Sequence, residues 1–348
     1  MQQAFRIGEE EVAPGQHKSI FLPLPDFYTH NAASMPIHVI HGRRTGPCVV
    51  ITSSLHGDEI NGVEIIRRLL SHKSLTRLKG TLILVSVVNV YGFLAQSRYL
   101  PDRRDLNRSF PGSEKGSMAA RLAHLLLNEV VSKGNYLIDL HTGAINRENL
   151  PQIRATVNGN PDLEALARSF GAPVIIDTGL TDGTLRKSAH TLGIPSLVYE
   201  AGEALRFDEV SIRAGVDGIL RFLGHLEMIR KRARKNKHAV LVAKSSQWIR
   251  APKSGIERSV VALGTQVEKG DVLAYISNPF GEHEETVIST AAGIVIGRTK
   301  LPLVHEGEAL FHIARFAETA EAAESIETFQ DAFDPVTGTS DSEEPPLV

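Results

Sequence analysis

The chain is poor in several things, and each shortage excludes something. It has one cysteine, Cys48, in 348 residues. A lone cysteine excludes an intrachain disulfide framework and fits a reducing compartment. Cys48 stands in an apolar stretch, so packing rather than nucleophilic chemistry is its expected role. An excess of one charge is also missing: the net charge is −2, which makes neither nucleic acid nor a membrane surface an expected partner. No apolar run approaches the length of a membrane span. Behind Met1-Gln2-Gln3-Ala4-Phe5-Arg6 there is no signal-peptide core. The expectation is a soluble, cytoplasmic protein. A hydrophobic share of 42% with 22% charged residues is that of a globular chain, and its length is that of two domains.

From residue 47 to about 211, strand-like runs alternate with helical spacing. Residues 48–52 are apolar and β-branched, and 61–70 place Val63, Ile65, Ile66, Leu69 and Leu70 at helical intervals. Residues 81–88 are almost continuously apolar, as a strand buried on both faces reads. A leucine-rich helix is predicted over 119–131, then strands over 136–140, 153–157, 174–176 and 195–199. Helices are predicted over 162–170, opened by Asn160-Pro161, and over 184–192, closed by Gly193. This alternation predicts an α/β fold, a mostly parallel sheet with helices on both faces. Short extended pieces before residue 47, such as 37–40, add edge strands. Residues 218–237 read as a long helix with a basic end: Arg230, Lys231, Arg232, Arg234, Lys235 and Lys237. Positive charge suits a helix C-terminus, so the run is read as a solvated helix end.

Residues 238–316 change texture to short β runs with glycine turns, in the manner of the barrel-sandwich fold of biotinyl and lipoyl carriers. Such carriers need a lysine at a hairpin tip. Here the tip is Asn278-Pro279-Phe280-Gly281-Glu282-His283, and no lysine occurs between Lys269 and Lys300. A swinging-arm cofactor is excluded, leaving a structural or substrate-gating lobe. Residues 317–348 carry nine acidic residues and no Lys or Arg. A helix is expected over 317–333 and disorder beyond. The predicted division is a catalytic domain over 1–237, a β-rich domain over 238–316 and an acidic tail over 317–348.

The most informative stretch is Ser53-Ser54-Leu55-His56-Gly57-Asp58-Glu59. His56 and Glu59 lie three residues apart, where a strand ends and a helix begins, the edge at which open α/β sheets place ligands. A loop there can aim both at one ion, and a further His with a water completes a catalytic zinc site. Two more predicted strands end in suitable residues, His141 in Leu140-His141-Thr142-Gly143 and Glu200 in Tyr199-Glu200-Ala201-Gly202. One polar residue past a buried strand is ordinary; three converging on one sheet edge are not. Residues 89–112 form a long loop holding Arg98 and Asp105-Leu106-Asn107-Arg108-Ser109-Phe110-Pro111-Gly112. Arginine's planar fork matches a carboxylate, whereas Arg103 and Arg104 read as surface salt bridges.

His56-Gly57-Asp58-Glu59, Asp105-Leu106-Asn107-Arg108 with Phe110-Pro111-Gly112, Leu140-His141-Thr142-Gly143 and Glu200-Ala201-Gly202 occur in an order that resembles the succinylglutamate desuccinylase/aspartoacylase family, relatives of the zinc carboxypeptidases. The motifs span roughly the first two-thirds of the chain, and the β-rich remainder fits that family's layout. The resemblance implies one zinc ion per chain held by His56, Glu59 and His141. It implies that Arg108, assisted by Asn107, binds a substrate carboxylate, and that Arg98 polarises the scissile carbonyl. Glu200 is implied as the general base that takes a proton from the attacking water and passes it to the leaving amine. Glu203 competes for that role, but the place directly after the strand favours Glu200. Asp139 precedes His141 by two and shares its face of the strand, where it orients the ligand histidine or serves as a buried structural acid.

Three functions are weighed. The leading one is a zinc-dependent deacylase acting on the amide of an N-acyl amino acid or related small amine. The second is a zinc metallocarboxypeptidase for short peptides, which would need an open groove. A non-catalytic binding protein on a hydrolase scaffold is the third, disfavoured because every member of the constellation is present. The expected partner is a small N-acyl substrate, and a homo-oligomer is compatible with the sequence.

Overall fold

Sheet order is set by a run of apolar strands that satisfy one another's backbone groups. The computed structural model describes residues 2–26, 30–231 and 238–334. At its centre the strands Ser196–Glu203, Tyr136–Gly143, Arg44–Ser53 and Lys79–Val85 lie side by side, all parallel. The Lys79–Val85 strand is buried from Gly80 to Val85, matching its uninterrupted apolar sequence. Ala33–His41 and His17–Leu24 extend this edge antiparallel. On the other side, Arg147–Ala155 runs antiparallel to Ser196–Glu203.

The sheet is therefore mixed: besides its centre, only the branch Arg147–Ala155, Val174–Asp177 and Leu241–Ala243 pairs in parallel. The short link Ala144-Ile145-Asn146 between two strands is the physical cause. A few residues can reverse the chain but cannot carry it back across the sheet for a parallel return.

Helices cover both faces. Asn61–Leu70, Pro161–Phe170 and Glu209–His225 pack on one, around Ile65, Phe170, Tyr199 and Phe222. Met118–Leu125 and Leu185–Thr191 pack on the other, around Leu122, Leu137 and Leu185. Pro161–Phe170 has the ends its sequence predicts: Asn160 accepts from the Leu163 N–H, and Gly171 closes it with φ 86°. Arg68 joins two helices below the surface. It donates to Glu64 at 2.7 Å and to both oxygens of Glu209 at 2.9 and 2.8 Å.

The helix expected over 218–237 is instead Glu209–His225. Its apolar face begins earlier than the spacing implied, with Ile212 and Ala214. It ends because Met228 and Ile229 turn back into the core. Arg230 and Lys231 are past the helix end, and Arg232, Arg234, Lys235 and Lys237 fall outside the described residues. The leucine-rich helix is α-helical only over Met118–Leu125, then loosens to a π turn over Leu126–Val130.

Strands after residue 238 fall into two groups. Ser245–Arg250, Ala309–Arg315 and Gly293–Thr299 continue the main sheet, through Gly297 and Arg298 paired with Asn149 and Glu148. Gly255–Ser259, Val272–Ser277, Glu285–Ile288 and Leu303–Val304 form a separate four-stranded antiparallel sheet. Leu273, Ile276 and Val287 pack with Ile249, Val295 and Phe311 in one core. One layer of this β-rich region is the far wing of the main sheet. Hydrogen bonding crosses the boundary drawn at residue 237.

Thr319–Phe333 is a helix, as the sequence predicted, and it docks through Ala322, Ile326, Phe329 and Phe333. Residues 335–348, where disorder was expected, are outside the described part. Among the described residues no helix is long and apolar enough to cross a membrane. Phe329 is fully buried. Phe329→Ala should cost about 3–5 kcal/mol in urea unfolding while leaving the distant cavity described below intact; a loss under about 1 kcal/mol would show that the tail helix is not part of the cooperative fold.

Candidate metal centre and substrate cavity

His56 and Glu59 sit in the turn between Arg44–Ser53 and Asn61–Leu70, closed by Glu59 N–H donating to the His56 carbonyl at 3.2 Å. Gly57 lies so close to Gly92 that a Cβ there would come within 2.0 Å of its carbonyl carbon. Only glycine lets the loop carrying Arg98 press on the loop carrying His56. His141 and Glu200 are not beyond their strands but within them, because Tyr136–Gly143 and Ser196–Glu203 each run further than the apolar stretches predicted. In parallel register His141 is opposite Glu200, and Asp139 opposite Val198. Side chains directly across from one another share a face of the sheet, so Asp139, His141 and Glu200 are all on the cavity side.

The His56, Glu59 and His141 donor atoms lie within 4.8 Å of one another, and all three residues are buried. Glu59 is 2% exposed, and its carboxylate bridges the two rings: Oε1 to His56 Nδ1 and Oε2 to His141 Nδ1, both 2.7 Å. Thr142 N–H donates to Oε2 at 3.1 Å and Arg98 Nη1 to Oε1 at 3.3 Å. On their outer edges, His141 Nε2 meets Asp139 at 2.7 Å and His56 Nε2 meets Asp105 at 3.2 Å. Asp139 is itself held by Thr52 Oγ1 at 2.7 Å.

Burial opposes charge on both rings, yet Glu59 and Asp105 raise His56, and Asp139 and Glu59 raise His141 well above the ordinary value. Burial likewise works against Glu59, but the two histidines hold its carboxyl well below the usual carboxylate range. Asp105 is depressed too, by His56 and Arg98 acting against burial.

This donor set fits a zinc ion. Two imidazoles and a carboxylate converge, and each imidazole has its far nitrogen fixed by a carboxylate, the arrangement that orients metal-binding histidines. Asp139 stands at the far nitrogen of His141, where a carboxylate can orient a ligand histidine.

A cavity of about 410 Å³ opens beside this cluster, lined by His56, Glu59, Arg98, Asn107, Arg108 and Glu200 among others. Arg98 also donates to Asp105 through Nε and Nη2, at 3.1 and 3.0 Å. Asn107 Oδ1 accepts from Leu185 N–H at 3.0 Å, so what it offers the cavity is its NH2 group. Arg108 is exposed and donates to the Asn107 carbonyl at 2.7 Å. Glu203 is turned away, accepting from Asn146 N–H at 3.1 Å and pairing with Lys300 at 3.3 Å. Arg103 is exposed without an ion pair among the described residues, and Arg104 makes a loose pair with Asp102 at 3.9 Å.

Sequence reasoning passed over Arg147, Asn149, Arg154, Arg186 and Trp248, which also line the cavity. Arg154 and Asn149 reach it from the antiparallel strand next to Glu200, and Trp248 comes from a strand a hundred residues further along. No linear motif announces them; only the register of adjacent strands does. Trp248 stacks on His312 with ring centroids 4.6 Å apart and 8° between planes, and Arg147 is 5.4 Å above its ring. Burial, with Arg154 nearby, brings His312 down to about 4.

A buried His-Glu-His cluster at the ends of parallel strands, beside an arginine-lined cavity, has the donor set of a metal-assisted hydrolase. The chain belongs to the succinylglutamate desuccinylase/aspartoacylase family, whose catalytic domain matches residues 45–226. It is 26% identical over 272 residues to the N-alpha-acetyl-L-2,4-diaminobutyric acid deacetylase of Halomonas elongata, covering 75% of this chain and 79% of that one. Its fold is that of a succinylglutamate desuccinylase/aspartoacylase from Rhodobacter sphaeroides, with TM-score 0.77, 24% identity and 86% and 96% of the two chains covered. A product-bound ectoine utilization protein EutE (DoeB) from Ruegeria pomeroyi superposes with TM-score 0.79 at 23% identity, covering 86% and 95%.

Asp139→Asn should weaken zinc binding about 10–100-fold in competition with a chelating dye, and His56→Ala should remove it; unchanged affinity in both would exclude this cluster as the metal centre. His312 is neutral in the fold. Between its unfolded value of 6.5 and about 4 the unfolded chain binds the extra proton, so stability falls as pH drops through that window. His312→Phe should flatten the fall in urea-unfolding free energy there, and an unaltered slope would assign it to other groups.

Proposed function

We propose that this chain is a zinc-dependent deacylase that hydrolyses the amide of an N-acyl amino acid or related small N-acyl amine. The observation that carries the proposal is the pairing of the buried His56-Glu59-His141 cluster with a separate carboxylate, Glu200, across one small cavity. His56, Glu59 and His141 would hold the ion, which when bound supplies Lewis acidity and an activated water.

The remaining steps belong to the chain. Glu200, with a half-buried carboxylate opposite His141, accepts the proton of the attacking water and delivers it to the leaving nitrogen. Arg98, which lines the cavity beside Glu59, donates to the developing oxyanion. Arg108 and the Asn107 amide orient a substrate carboxylate at the rim. Besides Arg154, which pairs with Glu200, four guanidiniums, from Arg98, Arg108, Arg147 and Arg186, line the cavity, favouring substrates that bring negative charge.

Cavity size favours a deacylase over a carboxypeptidase for peptides. Trp248 walls the space from the C-terminal strands, so residues 238–316 take part in substrate selection while residues 1–237 supply the metal ligands and base. The relative from Halomonas elongata supports the same reaction class.

Zinc-loaded protein should release free amine from one or more of N-acetyl-L-aspartate, N-succinyl-L-glutamate and N-acetyl-L-2,4-diaminobutyrate, followed by mass spectrometry with His56→Ala as the blank. Glu200→Gln should lower kcat by at least about 10²-fold with zinc content unchanged. Full activity in that variant would remove Glu200 from the mechanism, and release of C-terminal residues from peptides without deacylation would reverse the substrate assignment.

A further inference from the structure

A carboxylate on a two-carbon stem turns easily about its last bond, where the torsional wells are broad. A general base has to present one oxygen to the reacting proton, and a misplacement of about 1 Å can cost about 10²-fold in rate. The surroundings of Glu200 restrict that freedom from one side only. Oε2 accepts from Asn149 Nδ2 at 2.9 Å and meets Arg154 Nη2 at 3.1 Å. Oε1 has no partner among the described residues. Both donors come from Arg147–Ala155, the strand antiparallel to that of Glu200, so both act from the side away from His141.

We infer that Asn149 and Arg154 are positioning residues that pin Oε2 of Glu200 and leave Oε1 as the oxygen that takes the proton. This rests on the reading of Glu200 as the base.

The two donors differ in how they are placed. Asn149 is 6% exposed, and its Oδ1 lies 2.9 Å from where a Cβ on Gly297 would stand. A glycine on the neighbouring C-terminal strand is what leaves room for the Asn149 amide. Arg154 shares the cavity with Arg186, which is fixed by Thr178 Oγ1 at 2.9 Å and by the Thr178 and Gly179 carbonyls at 3.2 and 2.6 Å. Burial and Arg154 together make the charge on Arg186 less favourable. Two crowded cations repel, and Glu200 is the acid with which Arg154 pairs. The C-terminal strands thereby reach the reaction through Gly297 and Asn149, as well as through the Trp248 wall.

Asn149→Ala, Arg154→Gln, Arg154→Lys, Gly297→Ala and Glu200→Gln should be compared on the panel substrate with the highest turnover, with zinc content and thermal melting measured for each. Expected are losses in kcat of about 10–100-fold for Asn149→Ala and Arg154→Gln, with KM within about threefold and zinc retained. Arg154→Lys should recover part of the loss. Gly297→Ala deletes no donor but sets a Cβ 2.9 Å from Asn149 Oδ1, with His312 Cβ at 3.3 Å and the Glu148 carbonyl at 3.5 Å, and should lower kcat in the same direction as Asn149→Ala; this keeps the test valid if another variant fails to fold. A raised KM at unchanged kcat in Arg154→Gln would make Arg154 a substrate reader and overturn the assignment. Wild-type kinetics in the Asn149, Arg154 and Gly297 variants, with Glu200→Gln inactive, would overturn it while leaving Glu200 as base. An active Glu200→Gln would instead remove the base itself.

Discussion

The site depends on one buried carboxylate. Glu59 is almost wholly removed from water, a placement that costs several kcal/mol for an ion left alone. What offsets that cost is four donors on two oxygens: His56 and His141 at 2.7 Å, the Thr142 N–H at 3.1 Å and Arg98 at 3.3 Å. Those donors come from the turn after Arg44–Ser53, from the Tyr136–Gly143 strand and from the loop that follows Lys79–Val85. Three adjacent parallel strands are thus tied together at their carboxyl ends through one side chain. The same four contacts leave two imidazole nitrogens and a carboxylate facing a common point, so the arrangement that satisfies Glu59 is also the one that offers a cation its ligands.

Around that centre the polar groups are graded by what holds them. Asp139 and Asp105 grip the outer nitrogens of the histidines, and Thr52 grips Asp139. Arg98 is shared between Glu59 and Asp105. Glu200 stands apart from this cluster, tied to the opposite side of the cavity by Asn149 and Arg154. Glu59 lies among two imidazoles and a backbone N–H while Glu200 meets an amide and a guanidinium, so two acids have different surroundings in one cavity. Environment rather than residue type sets what each does.

Much of this was legible in the chain itself. The central strands, the helices after residues 61 and 161, and the convergence of His56, Glu59, His141 and Glu200 on one edge all follow from apolar periodicity and from the position of polar residues at strand ends. The errors share a cause. Strand and helix ends are settled by pairing and packing, so Tyr136–Gly143 and Ser196–Glu203 extend past their apolar cores, and the Glu209–His225 helix stops where Met228 re-enters the core. Asn149, Arg154, Arg186 and Trp248 carry no local pattern, because what brings them together is the lateral order of strands far apart in sequence. The acidic stretch 317–333 reads as a helix and is one from Thr319 to Phe333: its charges cover the outer face, while the other face buries Phe329 and Phe333.

By itself the sequence determined which residues could ligate a metal and on which edge of a sheet they would stand, since periodicity and chain direction are local properties. Tertiary structure alone decided how those residues are aimed. Only the antiparallel return of Arg147–Ala155 and the pairing of Gly297 with Asn149 show which oxygen of Glu200 is held and which has no partner among the described residues. Hydrogen bonds between neighbouring strands are set by lateral register, and register is a property of the folded sheet that no single segment contains.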